Sequence, residues 1–127
     1  MPNPLQIRWN AGTDDGLAEI GEFIAEPDEG GIRVRGRLST GTRGWVLRAE
    51  AGCRRAVVTL QVTAVERDEV RHPDLEFHHY EARIRVRRTG RYHLRVLHSY
   101  MPRGGPGEGY GRPVFEGTVM VLAPAEP

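Results

Sequence analysis

Lysine is absent from this 127-residue chain, and all 18 basic side chains are arginine. Codon usage in a GC-rich genome is explanation enough, although arginine also brings planar donors suited to ion pairs and stacked contacts. Cysteine occurs once, as Cys53, so no internal disulfide can form. No apolar run approaches the ~18 residues of a membrane-spanning helix. The opening "MPNPLQIRWN" lacks the basic-then-apolar order of a secretory signal, which makes the cytoplasm the expected location. Serine is scarce: Ser39 and Ser99 are the only two, and Ser99, in "HSY", is in no nucleophile elbow. "GGPGEGYG" has no Gly-Lys-Ser/Thr and no helix pattern after it, so it is no phosphate loop. No motif assembles acid, base and nucleophile. The chain therefore reads as non-enzymatic and without a cofactor.

The histidines are the nearest thing to a metal-ligand group. "HPDLEFHHY" supplies His72, Asp74, His78 and His79. A metal needs three or four converging ligands. In a strand His78 and His79 point to opposite faces, so at most one joins a given cluster, and packed or surface histidines are expected. Cys53 lies in "AGCRR", an expected hairpin turn beside Arg54 and Arg55, and reads as a bystander thiol.

What the chain does have is alternation. Hydrophobic content of 39% and charged content of 28% are ordinary for a soluble globular protein, and the length suits a single domain over 1–127. In 31–39, Ile32, Val34, Gly36 and Leu38 alternate with Arg33, Arg35 and Arg37. In 45–51, Trp45, Leu47 and Ala49 alternate with Arg48 and Glu50; in 55–65, Val58, Leu60, Val62 and Ala64 alternate with Thr59, Gln61 and Thr63. Segments 80–86, 91–100 and 114–122 behave alike. Period two, broken by Gly/Pro turns, predicts an all-β fold with sheets wet on one face. The expectation is an antiparallel β-sandwich of about seven strands, with irregular or extended ends at 1–16 and 123–127.

Charge is unevenly placed. Residues 1–31 hold seven acids against Arg8, a net of −6, and residues 32–127 hold 17 arginines against 10 acids, a net of +7. If 18–26 is a strand and Asp28 to Gly31 its loop, Glu26 falls opposite Arg33, Glu22 opposite Arg37, Phe23 opposite Gly36 and Ala25 opposite Val34. Charges then pair on one face. Between Val86 and Tyr92 a two-residue hairpin has the wrong parity. A bulged three-residue loop at Gly90, or a crossing between sheets, restores it.

The run Gly90-x-Tyr92-x-Leu94-x-Val96 resembles the Gly-x-Tyr-x-x-x-Val stretch of immunoglobulin-like and fibronectin type III-like domains. The resemblance implies a two-sheet sandwich in which the Tyr92 hydroxyl ties back to a corner between sheets. It implies no activity.

The functional expectation is a protein-interaction module, an accessory or structural subunit of a larger assembly, free or membrane-associated. The Gly/Pro-rich loop 99–113, with Tyr100, Met101, Arg103, Tyr110 and Arg112, carries that expectation. So do the ends "MPNP" and "APAEP", which fray on a free domain. One alternative is a nucleic-acid or anionic-surface binder using the rows Arg33, Arg35, Arg37 and Arg83, Arg85, Arg87. Another is a carbohydrate or small-ligand module with Trp9, Trp45, Tyr80, Tyr100 or Tyr110 as platforms.

Overall fold

The computed structural model describes residues 3–14, 23–41, 44–67, 76–102 and 111–122. Among them run nine strands: β1 (Asn3–Pro4), β2 (Ile7–Asp14), β3 (Ile24–Asp28), β4 (Gly31–Thr40), β5 (Trp45–Arg54), β6 (Val57–Glu66), β7 (Glu76–Arg85), β8 (Gly90–Met101) and β9 (Arg112–Val121). They form two packed sheets, one of five strands in the order β1-β5-β6-β8-β9 and one of four in the order β2-β7-β4-β3.

Alternation places the core where period two requires it. Val58, Leu60, Val62 and Ala64 of β6 are fully buried. They meet Ile32 and Val34 of β4, Ala82 and Ile84 of β7, and Leu94 and Val96 of β8. Each such aliphatic side chain contributes on the order of 1.5–3 kcal/mol by leaving water. Gly36 is required by packing: a Cβ there would collide with the Tyr80 ring and with Phe23.

Two expectations need correction. The antiparallel pairing is broken once, because β6 and β8 run parallel with Val58 opposite Leu94 and Leu60 opposite Val96. The cause is the path of the chain. It leaves β6 for β7 in the other sheet and returns to β8, so one strand of opposite direction separates the parallel pair. Of the two ways to keep parity between Val86 and Tyr92, the crossing is the one used. The stretch 1–16, expected as an irregular or extended end, instead contributes β1 and the eight-residue β2, whose Trp9 stacks on Tyr80 at 5.2 Å.

The pairing of the acidic segment is as expected where it is described: Ala25 opposite Val34 and Glu26 opposite Arg33. The turn is tighter, because Asp28 also pairs with Gly31 and only Glu29 and Gly30 remain, Gly30 at φ 69°. Glu22 lies outside the described residues.

Loop 99–113 is shorter than expected. Strand β8 continues to Met101 and β9 begins at Arg112. A bulge after Val96 shifts the register so that Leu97 faces Pro113.

Candidate anionic-ligand site

The arginine rows do share a sheet. Arg33 lies opposite Arg83, Arg35 opposite Glu81 and Arg85 opposite Gly31, while Arg8 of β2 flanks Arg83. Most of that charge is engaged. Glu81 sits at the centre and receives Arg33 at 2.9 Å, Arg35 at 2.9 Å and Arg83 at 3.3 Å. Glu26 adds a second partner for Arg33 at 3.4 Å, and Asp28 lies 3.9 Å from Arg83. Hydrogen bonds from Arg35 and Arg33 pull the Glu81 carboxyl down to about 2. The Arg37 guanidinium lies 5.4 Å from the Phe77 ring centre. Arg87 falls outside the row, because β7 ends at Arg85.

Beyond that strand end the picture changes. Arg87 and Arg88 sit on the crossing between the sheets, Arg91 is the second residue of β8, Arg54 ends β5 and Arg55 begins the β5–β6 turn. Among the described residues none of these five forms an ion pair. Arg55, Arg87, Arg88 and Arg91 line one cleft of about 520 Å³ that no carboxylate among the described residues lines. A neighbouring depression of about 500 Å³ is different in kind, since Asp28 and Glu29 face Arg8, Arg83 and Arg85 there.

The backbone holds this end in place. Tyr92, only 8% exposed, donates its hydroxyl to the Arg88 carbonyl at 2.7 Å, fixing the bend that carries Arg87 and Arg88. Gly90, at φ 135°, allows the chain to enter β8 from that bend. The Val86 N–H donates to Gly30 and the His93 N–H to Ala56. Arg55 and Ala56 both lie in the left-handed region, at φ 51° and 64°, as a two-residue hairpin turn of this hand requires. For non-glycine residues that conformation costs roughly 1–2 kcal/mol each. The cleft floor is formed by Leu5 and Val86 with Cys53 beside them, and Asn3 stands at its rim.

The loop residues named from sequence do not form one site among the described residues. Tyr100 donates its hydroxyl to the Ser39 carbonyl at 2.8 Å and meets Trp45 edge-on at 6.0 Å, so it joins strands. Met101 is 41% exposed, in an outward row with Val65 and Val46. Arg112 is exposed on β9 opposite His98. Arg103 and Tyr110 lie outside the described residues. Of the ring platforms, Trp9 and Tyr80 stack together and Trp45 and Tyr100 meet edge-on, as two pairs. His78 is buried beside Thr40 at 3.2 Å and Glu76 at 3.4 Å, while His79 is exposed on the other face. No cluster of three metal-ligating groups occurs among the described residues, and His72 and Asp74 lie outside them.

Sequence reasoning passed over Arg88 and Arg91 as ligand residues and weighed Arg54 and Arg55 only beside Cys53. The available signal was density at turns: "CRRA" and "VRRTGR" place Arg55, Arg87 and Arg88 between strands and set Arg54 and Arg91 opposite the apolar Val57 and Met120, so no acid stands across from any of them. Comparison with known proteins adds no identity: no family model, no curated protein and no solved structure matches the chain.

Proposed function

We propose that this protein is a non-catalytic recognition module that docks an anionic partner on its arginine-bearing end. The observation that carries the reading is the cleft lined by Arg55, Arg87, Arg88 and Arg91, with no carboxylate in its lining among the described residues. Guanidinium groups held without partners are poised to form charge-assisted, bidentate bonds to carboxylate or phosphate. An interaction role within a larger assembly fits this better than a role for the sheet face, where Arg33, Arg35 and Arg83 already share Glu81. The immunoglobulin-like reading has the Tyr92 corner in its favour and the parallel β6–β8 pair against it.

The test is retention of the purified protein on heparin at several salt concentrations. Retention that falls steeply with salt supports docking through unpaired cations. Passage through the column at low salt removes the reading.

A further inference from the structure

We infer that the partner segment is an acidic peptide carrying one large apolar side chain, a proposal that rests on the anionic-partner reading above. The cleft has two chemistries in one space. Its rim is cationic, but its floor is Leu5, packed against the core, and Val86, 9% exposed. A bare polyanion satisfies the rim and leaves the floor wet. An apolar side chain flanked by carboxylates covers both, and a cleft of about 520 Å³ is roomy enough for it.

Two other anionic partners fit less well. Single-stranded nucleic acid is held by aromatic faces on which bases stack. The one ring in the cleft, Tyr92, is 8% exposed with its hydroxyl bound to the Arg88 carbonyl. Membrane docking adds apolar insertion to headgroup attraction. The tips here are Arg55–Ala56 and Arg87–Arg88–Thr89, which offer no large apolar side chain.

Cys53 supplies a local readout, since it is the only cysteine in the chain and lines the cleft. The experiment measures the rate at which iodoacetamide alkylates Cys53 in the whole protein. Four probes are compared: a short acidic peptide with one central leucine, the same peptide with alanine there, a single-stranded DNA oligonucleotide, and phosphatidylserine-containing vesicles. Binding of each is followed in parallel by polarisation or co-sedimentation. The leucine peptide should protect Cys53 and bind about tenfold or more tighter than the alanine peptide, the discrimination expected of one apolar group in a pocket. The double variant R87E/R91E, at two exposed positions, should keep its unfolding midpoint and lose the protection. Equal protection by both peptides overturns the apolar anchor while leaving the anionic reading standing. Tighter binding of DNA or vesicles overturns the partner class. If no probe binds or protects, both readings fall.

Discussion

Arg83 and Arg87 are four residues apart in one chain segment, yet they live in different electrostatic settings. Arg83 is one of three guanidinium groups gathered around Glu81, with Asp28 a little further off. Arg87 stands past the end of β7 with Arg88, Arg91 and Arg55, and among the described residues no acid lines the cleft they share. The difference comes from secondary structure. A strand residue has neighbours on both sides at fixed register, so an opposite charge can be set beside it. A turn or crossing residue has none, and its charge stays available. The interior follows the same rule: His98, 7% exposed, is accepted because the Tyr80 hydroxyl lies 2.6 Å from its Nε2. Partnered polar groups here hold the fold together, and partnerless ones are where binding is expected.

The comparison can be broken most sharply at the arginine end. Reversing Arg87 and Arg91 to glutamate should weaken heparin binding about a hundredfold, as truncating charges that steer and hold a partner does, with the unfolding midpoint near that of the parent. A large fall in midpoint would make these arginines structural after all.

Next in size is the buried pair. Burial pushes the His98 imidazole down to about 4, while the Tyr80 hydroxyl is pushed up by the same cause. In the unfolded chain the imidazole titrates at its ordinary value of about 6.5. Between these values the unfolded state binds the extra proton, so stability is complete above about 6.5 and declines as pH falls towards 4. The loss should reach about 3 kcal/mol in urea unfolding, and H98Q should show a shallower slope across the same window. An unchanged slope in H98Q would assign the acid sensitivity elsewhere.

Removing the Tyr80 hydroxyl alone, as Y80F, should cost about 1 kcal/mol by leaving the imidazole Nε2 without its hydrogen-bond partner. Heparin binding should be untouched, because Tyr80 is far from the arginine end in the register of β7. The smallest effect is expected at Glu81. E81Q should lower stability by no more than about 1 kcal/mol, since solvent screens the network. It should strengthen heparin retention by releasing Arg33, Arg35 and Arg83, and weaker retention would contradict the pairing rule.

Much of the fold was legible in the chain. Period two identified β4, β5, β6 and β8 and parts of β7 and β9, because apolar residues recur at their inward positions, with Gly36 in β4 and His98 in β8 the exceptions. The β3–β4 register followed from a turn and an alternating pattern together, and came out one pair tighter because Gly30 can take a positive φ. Strand β2 was missed: Ile7 and Trp9 alternate, but Asn10 and Gly12 dilute the pattern. The parallel β6–β8 pair left no trace, because side chains alternate identically in parallel and antiparallel ladders. The arginine end was missed for a related reason. Alternation draws attention to in-strand arginines, and three of those, Arg33, Arg35 and Arg83, are the ones gathered around Glu81.

The central claim is that position in the fold, not arginine count, decides which charges bind. Two matched variants, R35Q/R83Q on the sheet face and R87Q/R91Q at the end, each remove two positive charges. Their elution from heparin against a salt gradient tests the claim directly. The account predicts that R35Q/R83Q elutes near the parent protein and R87Q/R91Q at much lower salt. Equal shifts, or the larger shift in the sheet variant, would contradict it.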